Sequence, residues 1–393
     1  MPQLRYLTAG ESHGKSLIGV IEGMPAGLLL ESGRDIDPML SERQRGYGRS
    51  HRQKIESDKA VILSGVRFGI TTGAPIAIEI QNKDWENWGE KMSATPTDVE
   101  VKVITIPRPG HADLAGVIKY QQKDIRNILE RASARETAMR VAVGAVASKL
   151  LKELGIETAS HVKSIGTISV DESKTSTDLS TLKKVLSDSD LRMHDTNAEK
   201  KAKKLIDEAK AKGDTLGGIV EVYVTGTPIG IGSHVQWDRK LDGLIAQAVM
   251  SVQAVKAVEI GSGVAVGKLF GSECHDAIEI HEEELIRTSN NAGGIEGGMS
   301  DGMPIVVRAA MKPISTLMRP LQSVDLSTGE AAPSHIERSD VCAVPSLAVI
   351  VESVVAFTLA SALLDTFGGD TLSEVQNRVA TRREQSRFKN LIL

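Results

Sequence analysis

Ala343-Val344-Pro345-Ser346-Leu347-Ala348-Val349-Ile350-Val351-Glu352-Ser353-Val354-Val355-Ala356-Phe357-Thr358-Leu359-Ala360-Ser361-Ala362-Leu363-Leu364 is almost continuously apolar and about long enough to cross a bilayer. Its polar members argue against a span. Pro345, Ser346, Ser353 and Ser361 interrupt it, and Glu352 near its centre would be costly in lipid. A helix apolar on every side belongs instead inside a large core or a subunit contact. At 393 residues and 41% hydrophobic content the chain can build such a core. The expectation is therefore a globular protein with one buried helix near the end of its chain and no membrane.

Moving outward from that helix, β-branched runs edged by glycine, proline or asparagine recur at Ala60–Leu63, Ile76–Ile80, Ile219–Val224, Val264–Leu269 and Ile305–Ala309, and read as strands. Helical patterns occupy Tyr120 to about Leu154, Asn197–Lys212 with Thr196 as N-cap and Gly213 as stop, and Arg239–Val258. Strands, helices, strands and a helix follow one another in blocks, which suits an α+β layered fold better than strict βαβ alternation. The Ser, Thr, Asp and Lys-rich stretch at about 164–214 reads as a peripheral excursion without chemistry. No fixed-period repeat and no proline-rich linker divides residues 1–393 into further domains.

Composition narrows the function. Aromatics make up only 3% of the chain, too few for a base-stacking nucleic-acid surface. A formal charge of -4 with a pI near 6.2 argues against whole-protein polyanion binding. Any cationic site is then a local focus suited to small anionic substrates. Two cysteines, Cys274 and Cys342, with no CxxC and no secretory signal pattern, support neither a disulfide framework nor a metal site, and make the cytoplasm the expected compartment.

Four glycine-bracketed or arginine-rich blocks stand out: Gly10-Glu11-Ser12-His13-Gly14, Arg108-Pro109-Gly110-His111-Ala112-Asp113, Arg131-Ala132-Ser133-Ala134-Arg135-Glu136-Thr137 and Arg338-Ser339-Asp340-Val341-Cys342. The first matches G-x-S-x-G, but too little chain precedes it to build a nucleophile elbow. Its flexible backbone instead lets Ser12 and His13 approach a ligand, and an imidazole can protonate a leaving oxyanion near neutral pH. Arg43 to Arg52 offers guanidinium forks for carboxylate or phosphate; a solvated basic loop or an RNA contact would look the same by itself. Arg131–Thr137 interrupts a helical pattern and opens a new helix near Ser133, whose unpaired N–H groups suit a phosphate-bearing cofactor. Asn291–Gly302 reads as a phosphate-type nest leading toward Lys312, although it is neither a Walker A loop nor a dinucleotide fingerprint.

Together these blocks resemble the chorismate synthases in wording, order and spacing, from Leu7 to about Ala356. Ile62-Leu63-Ser64-Gly65-Val66, Ala138-Met139-Arg140-Val141 and Gln253 to Gly261 add to the likeness. The resemblance implies a βαβ sandwich subunit, a homotetramer, and a lyase that eliminates phosphate and a C6 hydrogen, anti-1,4, from 5-enolpyruvylshikimate 3-phosphate to give chorismate, the last common step toward aromatic amino acids. It implies reduced FMN as cofactor without net redox change, with NADPH or a separate flavin reductase as the source of electrons. By the same resemblance His13 is the acid for departing phosphate, His111 the proton donor to reduced flavin, and Asp340 the carboxylate that works with flavin N5 to remove the C6 proton. The implied FMN contacts are Arg131, Ala132, Ser133, Gln253, Ala254, Gly297, Lys312, Pro313, Ile314, Ser315, Thr316 and Arg338. Ser12, Arg43 and Arg49 are implied to hold substrate or NADP. Ser339 and Val341 stand where many relatives have His and Pro, and Gln253 where some have Asn. Two other readings remain at this point: a flavin oxidoreductase that consumes NADPH, and an RNA-binding protein built on the Arg43–Arg52 loop, which would show steep salt dependence.

Overall fold

The computed structural model describes residues 4–49, 57–175, 178–282, 284–337, 339–387 and 390–391. Two antiparallel sheets enclose helices. The first holds β1 (Arg5–Ala9), β2 (Ser16–Glu22), β3 (Ala60–Ile62) and β4 (Ile76–Gln81) in the spatial order β1-β2-β4-β3. Alternation decides its buried face: Leu17 and Ile21 on β2 and Ile76, Ile78 and Ile80 on β4 all point inward. The second sheet holds β5 (Glu157–Ile165), β6 (Ile168–Ser169), β7 (Gly218–Thr225), β8 (Val255–Ile260) and β9 (Ile305–Met311), ordered β8-β9-β7-β5-β6.

The helices of seven residues or more among the described residues are, in chain order, α1 (Asp37–Gln44), α2 (Asp113–Tyr120), α3 (Arg126–Ala132), α4 (Thr137–Glu153), α5 (Leu179–Ser187), α6 (Thr196–Ala211), α7 (Leu241–Met250), α8 (Val344–Phe367) and α9 (Leu372–Gln385). α4 packs on the first sheet, α8 packs on the second, and the two helices pack on each other, giving an α+β sandwich of sheet, helices and sheet. Glycine permits the close contacts. A Cβ on Gly19 would lie 2.5 Å from Met139 Sδ, and one on Gly144 would lie 2.5 Å from both Ser353 Cβ and its carbonyl oxygen. The α4–α8 crossing can therefore be tight enough to join the layers into one core.

The long apolar segment is the core helix that its composition predicts, the one helix among the described residues long and apolar enough to cross a membrane, and the chain itself covers it. No subunit contact is needed to bury it. Glu352 sits in its middle with its carboxylate accepting hydrogen bonds from Thr158 Oγ1 at 2.8 Å and Ser160 Oγ at 2.6 Å, both on β5. A pairing of this kind removes most of the cost of burying the charge.

Strands at β3, β4, β7 and β9 match the sequence pattern to within a residue or two; three other expectations do not hold. Val264–Leu269 lies in a 3-10 segment, Gly263–Lys268, and not in a strand. Gly261 and Gly263 turn the chain at φ +59 and +55 just after β8, and Val264 stands exposed without a strand to pair with. The Arg239–Val258 helix stops at Met250, because Val255, Val258 and Ile260 gain a ladder against β9 that a helix would forfeit. Tyr120–Leu154 is two helices and a turn. Ser133 adopts an extended conformation (φ -61, ψ 140), its hydroxyl accepts from Arg135 N, and α4 follows, so the expected helix start near Ser133 is present. At α6 the cap is Asp195 and not Thr196, its carboxylate accepting from Asn197 N and Ala198 N.

The 164–214 stretch begins with the last residues of β5 and runs along the edge of the second sheet. Leu179, Leu182 and Leu186 form a small core with Ala159 there. α6 leans on the arginine loop: Ile206 lies beside Gly48, and Tyr47 Oη donates to Asp207 at 2.8 Å.

Candidate active site

A cavity of about 420 Å³ opens where the loops of both sheets meet α4 and α8. The β1–β2 loop brings Ser12 and His13. The end of α1 and the loop after it bring Arg43 and Arg49. The turn before α2 brings Arg108 and His111; the turn between α3 and α4 brings Ala132, Ser133 and Arg135. Gln253 and Ala254 come from just before β8, Lys312 to Thr316 from the segment that follows β9, and Asp340 from the approach to α8. Segments from the first fifth of the chain to beyond residue 340 thus share one wall.

His13 is held from three sides. Its Nδ1 lies 3.0 Å from both carboxylate oxygens of Glu130, its backbone N–H donates to the same carboxylate at 2.9 Å, and its ring stacks on Trp88 at 4.0 Å. Burial alone would push the Glu130 carboxyl up; hydrogen bonds and charge from His13, helped by Arg126, outweigh burial and hold it below the usual carboxylate range. The ionised carboxylate accepts from Nδ1–H and leaves Nε2 for a ligand.

His111 has a parallel arrangement. Its Nδ1 lies 2.5 Å from Asp113 Oδ1, while Arg108 Nε donates to Asp113 Oδ2 at 2.9 Å and Arg108 Nη1 to Thr316 Oγ1 at 3.2 Å. Burial works to raise the Asp113 carboxyl, yet His111 and Arg108 together hold it well below the usual range. Gly110 carries a positive φ of +79, and its carbonyl accepts from Lys312 Nζ, which ties this turn to the end of β9.

The remaining cations are braced rather than loose. Arg43 donates to Thr137 Oγ1 (2.9 Å) and to Ala134 O (3.1 Å) at the start of α4. Arg135 grips both oxygens of Asp58 at 2.7 and 2.8 Å and reaches Asn82 Oδ1 with Nε. Arg49 lies 3.3 Å from Asp340 and donates to Ser346 Oγ. Burial lowers the tendency of Arg49 to carry charge and Asp340 works against that; its buried Nε has no hydrogen-bond partner among the described residues. Asp340 is thus paired with Arg49, whereas Arg338 falls outside the described residues.

Two expected cofactor contacts lie elsewhere. Arg131 turns onto Thr8 and Gly10, donating to Thr8 O at 2.9 Å and Gly10 O at 3.1 Å, in a shallow depression beside the cavity that shares Gln253. Gly297 turns a small hairpin, with open space where its Cβ would be, and its neighbour Gly298 packs on Lys240 and Leu241. The glycine-rich 291–302 segment does cradle an anion, but the anion is the chain's own: Asp276 accepts from Asn291 N (2.8 Å) and Ala292 N (2.9 Å). Among the described residues no group of His, Cys, Asp and Glu is arranged for a metal ion, and Cys342 is buried with its thiol pushed up to about 11 by that burial.

Sequence reasoning passed over Glu130, Trp88 and Asp58, which stand far along the chain from the histidine and arginine they serve, and Glu337, whose partner His335 is only two residues away. Arg108, Arg135 and Asp113 lay inside quoted blocks; a charged residue two or three places from a site histidine or serine was the available signal.

Comparison with known proteins shows which family the chain resembles. A family model described as chorismate synthase matches residues 4–364. A chorismate synthase of Syntrophotalea carbinolica is 55% identical over 380 residues, covering 96% of this chain and 97% of the relative, and one of Aquifex aeolicus is 54% identical, covering 95% and 96%. A crystal structure of chorismate synthase superposes with a TM-score of 0.79 at 44% identity, over 98% of each chain.

Proposed function

The chain belongs to the chorismate synthase family, a family of lyases, and from that membership we propose how its cavity carries out the elimination of phosphate from 5-enolpyruvylshikimate 3-phosphate. The single observation that carries the reading is the gathering of Arg43, Arg49, Arg108, Arg135, Lys312 and two carboxylate-held histidines around one cavity. A substrate with two carboxylates and a phosphate needs that density of donors. Allylic phosphate is a poor leaving group until its developing charge is neutralised, and pre-placed guanidinium groups do this without reorganising at the moment of reaction.

The cavity residues fit FMN. Gln253 gives its Nε2–H to Glu136 at 3.1 Å and presents a buried Oε1 with no partner among the described residues, an acceptor suited to a ring N–H of the flavin. Ser133, Lys312, Ser315 and Thr316 are suited to its phosphate and ribityl hydroxyls. When bound in reduced form it supplies the electron donation that no side chain offers. The chain's own groups do the rest. His13 Nε2 delivers a proton to the departing phosphate. Asp340 accepts the proton lost from C6, with Arg49 orienting its carboxylate. His111, fixed by Asp113, controls protonation at the cofactor end. Arg49 sits against Asp340, which favours substrate over NADP as its ligand.

Reducing equivalents then come from a separate flavin reductase. Self-association as a homotetramer is supported by the outer face of the first sheet, where exposed Leu7 and Val20 stand opposite each other beside the Arg5–Glu22 pair and Val61 lies two strands away opposite Glu79, a face no helix covers among the described residues. A cytoplasmic biosynthetic role fits such a subunit. The test is anaerobic: dithionite-reduced FMN in catalytic amount should support continuous phosphate release. Flavin oxidation in step with product would refute the mechanism.

A further inference from the structure

We infer that Glu130 is the positioning residue for His13: one buried carboxylate fixes both the ring and the backbone of the acid, so that the proton to be transferred always stands on Nε2 facing the cavity. The inference rests on the proposed role of His13 and goes beyond it. Glu130 is almost wholly buried, with side-chain exposure of 1%, and its two oxygens receive His13 Nδ1, His13 N and Arg126 Nη1, the last at 2.9 Å. Ser12 N also donates to the Glu130 backbone carbonyl at 3.0 Å, so α3 grips the whole turn of the β1–β2 loop.

Trp88 completes the clamp. The indole lies flat against the imidazole, with an interplanar angle of 25°, and Arg126 lies over the same indole at 4.8 Å. Its Nε1 donates to Asp84 at 3.1 Å, which fixes the plane on which the imidazole rests. A ring held at Nδ1 and pressed on one face has a single orientation left.

Among the described residues the charged groups around His13 are few. From α3 come Glu130 and Arg126; from its own loop comes Glu11, beside Gly14; Lys91 lies over the Trp88 ring at 5.2 Å. Across the cavity stand Arg43, Arg49, Arg108, Arg135 and Lys312, together with Asp340, Glu337 and His111. Glu130 is the carboxylate among them that touches the ring. When Nε2 releases its proton to phosphate the ring becomes neutral with Nδ1–H still on Glu130, and the next proton can return only to Nε2.

Three variants test this: Glu130→Gln, Glu130→Asp and Arg126→Gln. The first readout is the imidazole titration of His13 in the flavin-free protein, followed by ¹⁵N NMR with the signal assigned by its loss in His13→Gln. The second is the basic limb of the kcat–pH profile. Losing an opposite charge in direct contact should move the His13 titration about one to three pH units lower in Glu130→Gln. The basic limb should move with it, so that turnover above the limb falls about tenfold per unit. Arg126→Gln removes a cation and should move both readouts the other way. Glu130→Asp should restore the position of the limb while leaving kcat below wild type, because the shorter side chain keeps the charge and loses the geometry.

If the His13 titration is unmoved in the folded variants, the Glu130 carboxylate does not act on the imidazole, and that result overturns the inference. If the titration moves while the kcat limb stays, the acid role of His13 falls and the Glu130 tie stands, so the two failures are distinguishable. Should Glu130→Gln fail to fold, the opposite signs expected of Arg126→Gln and the limb position of Glu130→Asp still decide the matter.

Discussion

Asp340→Asn removes a proton acceptor while nearly preserving shape, and the structure allows its consequences to be separated. Asp340 lies 3.3 Å from the Arg49 guanidinium, and the two side chains are only 14% and 8% exposed. At that distance the pair attraction is about 5 kcal/mol with an effective dielectric constant of about 20, before any desolvation cost is counted. Asparagine retains an oxygen that can accept from Arg49, so the stability cost should fall near or below the 3–5 kcal/mol usual for breaking a buried pair. Arg49 then meets the substrate without a competing carboxylate, so substrate affinity should hold or increase. Turnover should fall by about a hundredfold to ten-thousandfold, the usual contribution of general-base catalysis. Stopped-flow phosphate release under anaerobic conditions gives turnover, equilibrium titration gives the substrate dissociation constant, and thermal melting gives the stability change. Turnover that survives, or affinity that collapses in step with turnover, would refute the reasoning and make Asp340 a structural partner of Arg49.

Other expectations follow from the same geometry. His13→Ala should slow phosphate departure, whereas His111→Ala should alter the absorption spectrum of bound reduced flavin; wild-type turnover in both variants across neutral pH would remove the two assigned roles. Asp113, whose carboxyl is held well below its unfolded value of about 3.9, contributes stability that is present above that value and lost as pH falls toward the folded one. Asp113→Asn should therefore lower Tm at neutral pH and flatten its decline between about pH 4 and pH 2. Gly144→Ala places a Cβ 2.5 Å from Ser353 at the α4–α8 crossing and should cost about 1–3 kcal/mol or more in urea denaturation; an unchanged midpoint would show that the helices can separate cheaply.

The elements most legible in the sequence are those whose pattern repeats within a few residues. α6 shows its helical period and its glycine stop, β4 and β9 show their β-branched runs, and α8 shows its polar interruption at Glu352; each reports its own burial. The same local logic picked out Ser12, His13, Arg43, Arg49, His111, Ser133, Lys312 and Asp340, because guanidinium and imidazole groups beside glycine have no packing purpose, and the family resemblance added Gln253. All of these line the cavity.

Tertiary structure decided everything that depends on a partner distant in the chain. Val264–Leu269 has a strand-like composition, but a strand exists only when another pairs with it, and none does. Asn291–Ala292 has the backbone of an anion nest, yet its anion is the carboxylate of Asp276, fifteen and sixteen residues back. Glu130 and His13 are separated by 117 positions, and Arg135 and Asp58 by 77. Sequence spacing carries no trace of such pairs: the sandwich sets their distance, and a pair's charge state follows from its distance and burial. The residue types alone pointed to a site for a small anion with imidazole groups beside it; which carboxylate would hold which base was determined only when the two sheets closed on α4 and α8.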